Sequence, residues 1–186
     1  MTTIGLARGT VQLVPYQPGW HDLFRQEALL LGSVMGEEAL QIEHIGSTSL
    51  EGMPAKPIID LMVAIPSLTG AQRWIPQLEA LTYEWRPDTE VPDRLFFAKG
   101  PRHQRTHHLS LAEPTSYFYR SKLLFLKFLR RHPDSFAEYR RLKEQLVTQH
   151  AQDRASYTKG KEAFVERILQ LAEAQKTRHY ESLGCR

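Results

Sequence analysis

Asp60 is the one charged residue inside the apolar run "PIIDLMVAI". An unpaired buried carboxylate costs several kcal/mol or more, so Asp60 must find a partner, hold a metal or open onto a cleft. Gly46, Ser47 and Thr48 precede it in "EHIGSTSLEGMPAKP". Glycine lets a backbone approach a ligand closely, and the amides and hydroxyls of Ser47 and Thr48 suit phosphate oxygens. Lys56, Arg94, Lys99 and Arg105 flank the same segments, arginine as a bidentate fork and lysine as a point charge for a phosphate chain. Lys161 lies on one helical face with Tyr157 and Phe164, at i, i+4 and i+7, where its amine can lean over a cleft. Taken singly, each of these cations is an ordinary surface charge, and Asp60 could simply pair with Lys56 or Arg94. Taken together they suggest an anionic ligand.

Three histidines extend the chemistry. Asp60 with His44 and either His107 or His108 would form a set able to bind Zn²⁺ or Mn²⁺, or to move a proton. His107 and His108 are neighbours in "RTHHLSL" and point to opposite faces of a strand, so only one shares the side of Asp60. The sequence leaves open which one.

These residues need a scaffold. "VQLVPY", "LQIEHIG", "KPIIDLMVAI", "LTYEWR", "RLFFAKG" and "RTHHLSLA" read as strands, the last two joined as a hairpin through "KGPRHQR". "PGWHDLFRQEALLLGSVMG" places its apolar residues at helical spacing and stops at Gly36, and "LTGAQRWIPQLEAL" reads as a second helix despite Pro76. From Thr115 onward the period is helical, punctuated by Pro133 and Asp153 into three helices. The chain therefore reads as one α+β domain over 1–186. A sheet-forming part covers about 8–113, a helical part about 114–175, and a fraying tail 176–186.

With 41% hydrophobic and 24% charged residues and a net charge of +3, the composition is that of an ordinary globule. Lys and Arg interleave with Asp and Glu, so RNA is permitted without being indicated. The tip "KGPRHQR" is the one local basic excess. The single cysteine, Cys185, allows neither an internal disulfide nor a thiolate metal cage. No apolar run approaches the ~20 residues of a membrane span, and "MTTIGLARGT" lacks the pattern of a secretory leader, so the cytoplasm is the expected location and no membrane partner is expected.

"VQLVPYQPGW", "IEHIGSTSLEGMPAKPIIDLMV", "RTHHLSL" and "YTKGKEAFVERIL", in that order from about Val11 to Leu171, resemble the GrpB family of small bacterial proteins. That family is placed in the nucleotidyltransferase superfamily, with a polymerase-beta-like fold. The resemblance implies a nucleotidyltransferase-like mixed β-sheet with flanking helices and a helical C-terminal half. It also implies that Gly46 and Ser47 form the phosphate-gripping turn and that Asp60 is the first of two metal-binding acids. The second acid's place holds Met62, a thioether that Mg²⁺ does not favour. Where the family pattern tends to carry another histidine, this chain has Ser110. The expected function is binding of a nucleoside triphosphate or other phosphate-bearing small molecule with a divalent metal (Mg²⁺, Mn²⁺ or Zn²⁺). Asp60 and His108 would then serve transfer of a nucleotidyl group to an acceptor. The alternative is a non-catalytic nucleotide- or RNA-binding module. Acceptor and oligomeric state are not written in the sequence.

Overall fold

The computed structural model describes residues 1–87 and 91–182. Helix α1 (Gly19–Met35) buries Trp20, Leu31 and Met35 on one side and stops at Gly36, whose φ of 57° suits glycine. Strand β1 (Gln41–Ile45) leads through a 3₁₀ turn at Ser47–Ser49 into β2 (Ile59–Ala64). A further 3₁₀ turn at Ala71–Trp74 then precedes α2 (Ile75–Ala80). Pro76 sits in the first turn of α2, where a missing N–H is harmless. Strands β3 (Tyr83–Trp85), β4 (Leu95–Lys99) and β5 (His107–Ala112) complete the sheet.

The spatial order is β1-β2-β5-β4-β3, with β2 and β5 parallel and the other neighbours antiparallel. It is the mixed sheet of the expected α+β class. Cross-strand partners share a face, so register sorts the side chains. Ile45, Asp60, His108 and Ala98 lie in one row on one face, followed by Glu43, Met62, Ser110 and Phe96. The opposite face carries Ile59, Leu61, Val63, His107, Leu109 and Phe97, and packs on α1 and α2 with Trp20, Leu31 and Leu78.

The helical half covers the Asp60 face. Helix α3 (Tyr117–Arg131) is capped by Ser116, whose side chain accepts from Tyr119 N at 3.1 Å, and ends in Arg130 and Arg131, which complement its dipole. Helix α4 (Pro133–His150) begins on proline. Helix α5 (Arg154–Lys159) is capped by Asp153, and α6 (Glu162–Ser182) closes the chain. Phe125, Leu129, Tyr139, Phe164 and Ile168 form the second core with Met62 and Ala64.

Three expectations change. Residues 11–16 form no strand: Val14 makes an isolated bridge to Ala55, and Val11 N donates to Ala151 O. Pro15 and Pro18 break the ladder there. The helical half has four helices because the chain breaks again between Lys159 and Glu162. The last helix continues beyond Lys176 to Ser182, while Cys185 lies outside the described residues.

Candidate functional site

A cavity of about 580 Å³ lies between the Asp60 face of the sheet and the helical half. Gly46, Ser47 and Thr48 line it from the turn after β1, Asp60 and His108 from the sheet, and Lys56 from the loop between them. Tyr139 and Lys143 enter from α4, Tyr157 from α5, and Lys161 from the break before α6. Lys122 of α3 and Glu162 and Glu166 of α6, all three exposed, complete the lining.

The turn is built for close approach. Gly46 has φ 71° and ψ −174°, a conformation nearly confined to glycine, and a Cβ there would fall 2.3 Å from Asp60 Oδ2. Thr48 Oγ1 accepts from His44 Nε2 at 3.0 Å and donates to Ile58 O at 3.4 Å, while Ser49 Oγ donates to Gly46 O at 2.8 Å. The turn is thus tied to both β1 and the entry to β2.

Asp60 pairs with His108, not with Lys56 or Arg94. His108 Nδ1 lies 3.0 Å from Asp60 Oδ1, and the Asp60 side chain keeps 35% of its exposure, so it opens onto the cavity. Burial pushes its carboxyl up. The hydrogen bond and charge of His108, followed by Lys56 and His44, outweigh that and hold it below the usual carboxylate range. Burial lowers the His108 imidazole against the pull of Asp60. Near pH 7 the pair is therefore an ionised carboxylate and a neutral ring. A carboxylate can only accept, so Nδ1 carries the proton and Nε2 keeps a lone pair on a ring that lines the cavity.

Lysine amines surround this dyad. Lys143 is only 2% exposed and donates to Pro54 O at 2.5 Å. Lys56 and Lys161 sit 5.6 and 4.6 Å from the Tyr157 ring centroid. Among the described residues, none of Lys56, Lys122, Lys143 and Lys161 has a carboxylate within ion-pair distance. Burial, then the other lysines, brings Lys161 down to about 7, and burial with Arg154 brings Lys56 down to about 8. Burial drives Lys143 well below the ordinary amine range, with Lys161 and Lys56 adding to it. Four lysine amines thus line the cavity against three carboxylates, those of Asp60, Glu162 and Glu166.

Several residues proposed from sequence lie elsewhere. His44 pairs in register with Leu61 and so faces away from Asp60; it stacks on Phe24 at 4.7 Å, and burial with His21 lowers it to about 3. His107 is also on the far face, 3.0 Å from Thr106 Oγ1, and burial lowers it to about 4. Neither reaches Asp60 as a metal ligand. Lys99 binds Glu27 at 2.8 Å on that far face, and Arg105 donates to Gly100 O at 2.6 Å and to the Glu84 carboxylate. Glu84 also lies 3.8 Å from the exposed Arg102, so this one carboxylate is shared by both arginines of the hairpin tip. Arg94 shares the Asp60 face but donates to Ser110 Oγ at 3.0 Å and packs on Phe96 and Phe118, outside the cavity lining.

Lys122, Lys143 and Tyr139 were not singled out as site residues from sequence. The signal for Lys143 is its place in α4, four residues after Tyr139 and three before Leu146, on the buried stripe. A lysine on an apolar stripe needs a reason.

The sequence model of the family described as "GrpB protein" matches residues 10–171. The chain belongs to the GrpB family. Within and around it, the UPF0157 protein PA4798 of Pseudomonas aeruginosa is 38% identical over 91% of this chain and 70% of its own. The crystal structure of conserved protein GrpB from Enterococcus faecalis superposes with a TM-score of 0.81 at 31% identity, covering 89% of this chain and 99% of that one. A dephospho-CoA kinase of Mycolicibacterium paratuberculosis is 29% identical over 87% of this GrpB chain, which spans 46% of the kinase. Among the described residues, no helix of this GrpB protein is long and apolar enough to cross a membrane.

Met62, where the resemblance would put a second acid, has no solvent exposure and belongs to the core with Ala64 and Phe128. Met62→Asp is therefore expected to bury an uncompensated carboxylate and to destabilise the fold by about 3 kcal/mol or more, seen as a lower midpoint in denaturant unfolding. A variant as stable as wild type would show that position 62 opens to the cavity.

Proposed function

We propose that this GrpB protein binds a phosphate-bearing small molecule, a nucleoside triphosphate foremost, in the lysine-lined cavity, and transfers its nucleotidyl or phosphoryl group to a hydroxyl. The observation that carries the reading is the convergence of Lys56, Lys143 and Lys161, which have no carboxylate within ion-pair distance among the described residues, on the Asp60–His108 dyad and the Gly46–Ser47 turn. The lysines match phosphate oxygens as point charges. His108 Nε2 accepts the proton of the attacking hydroxyl. Its oxygen forms the new bond to phosphorus, and the leaving phosphate departs with the electrons of the broken P–O bond, stabilised by the ammonium groups. Asp60 holds the ring in the required tautomer and meets the charge of the imidazolium.

The second reading is a non-catalytic nucleotide- or RNA-binding module, favoured by the core position of Met62. RNA would have to enter the cavity by an end, because Lys99 and Arg105 of the hairpin tip already meet Glu27 and Glu84. The mycobacterial relative named for dephospho-CoA, a nucleotide bearing a long arm, argues for including that compound among the ligands tried.

Calorimetric titration with ATP, GTP, dephospho-CoA, inorganic triphosphate and a short RNA tests the reading. Binding of triphosphates should tighten about tenfold as pH falls from about 9 to about 7. Over that range Lys56 and then Lys161 take up protons, while the terminal phosphate, with its second pKa of about 6, stays ionised. No heat with any phosphate ligand, or an affinity indifferent to pH, contradicts it.

A further inference from the structure

The resemblance to nucleotidyltransferases implies a divalent metal held by paired acids, and the donors present do not fit one. Met62 is sealed in the core, and His44 and His107 project from the other side of the sheet. Of the two Asp60 oxygens, Oδ1 is engaged by His108 Nδ1 and Oδ2 lies under Gly46, so close that a Cβ on that glycine would sit 2.3 Å from it. Among the described residues, no three His, Cys, Asp or Glu side chains gather as a ligand set. The space a metal would need is lined by Lys56, Lys143 and Lys161 instead, and each of these amines repels a cation whenever it carries its proton.

We infer that the cavity takes the phosphate chain as a free polyanion, with lysine side chains that take up protons alongside it standing where a divalent cation would stand in a two-acid site. This rests on the reading above that the ligand carries phosphates. A metal-complexed triphosphate brings two fewer negative charges to the lysines and a hydration shell that Mg²⁺ gives up reluctantly. The metal-free form is therefore the better match. The preference belongs to the phosphate chain and not to the base, so inorganic triphosphate shows it too.

The experiment is calorimetric titration of the full chain with ATP and with inorganic triphosphate, each in chelator and in saturating Mg²⁺. The expected result is binding in chelator that weakens by about tenfold for the Mg²⁺ complex, and equal affinity in the two conditions counts against the inference. Asp60→Asn, which removes a negative charge from the cavity lining, should bind at least as tightly as wild type in chelator. Binding that appears or strengthens with Mg²⁺ overturns the inference and leaves the phosphate-ligand reading standing. Absence of binding in both conditions overturns both.

Discussion

The double variant Lys56→Met, Lys161→Met should lose triphosphate affinity by about 100-fold or more while the ligand-free protein unfolds at the same or a higher denaturant concentration. Each lysine supplies a charged contact worth about 1.5–3 kcal/mol, so losing both removes roughly two or more powers of ten in Kd. The stability effect has the opposite sign because burial penalises the ammonium form of both residues, and Asp60, a carboxylate outside ion-pair distance, offsets only part of that penalty. Methionine keeps the length and removes the charge. Residues that weaken binding when replaced but strengthen the fold are retained for the ligand. Equal losses of affinity and stability would mean that the lysines serve the architecture.

Asp60→Asn should separate binding from chemistry. It removes the acceptor that fixes His108 Nδ1–H, so the ring loses both its tautomer and its counter-charge, and turnover should fall by about 10²–10⁴. Affinity should hold or improve, since Asp60 repels phosphate. His108→Gln should lower turnover over the same range with little change in binding. The checks are a single-turnover assay of triphosphate consumption and a parallel titration. Wild-type protein that binds triphosphate and consumes none with any hydroxyl acceptor would move the account to the binding module.

Part of this site was legible in the sequence because it is local. Gly46, Ser47, Asp60 and Lys56 sit within fifteen residues, and an aspartate in "PIIDLMVAI" demands a partner whatever the topology. The partner was not legible. Whether His107 or His108 faces Asp60 depends on the parallel register of β2 and β5, set by strands 48 residues apart and by no local pattern. The same parity removes His44: one step along β1 from Ile45, which pairs with Asp60, it turns to the helix α1 side. Lys99 and Arg105 looked free because Glu27 and Glu84, which engage them, are distant in sequence. Lys143 escaped notice because a lysine in an amphipathic helix ordinarily faces water, and only the docking of α4 against the Pro54 loop turns it inward.

Lysine footprinting tests the central claim most directly, since it needs neither turnover nor a known acceptor. Only unprotonated amines are acylated, and Lys161 near 7 and Lys56 near 8 present that form at neutral pH. Acylation at neutral pH, mapped by mass spectrometry, should label Lys56 and Lys161 ahead of the exposed Lys127 and Lys159. Triphosphate in chelator should protect Lys56 and Lys161 and leave Lys127 and Lys159 unchanged. Labelling of the cavity lysines that saturating triphosphate does not alter would contradict the account.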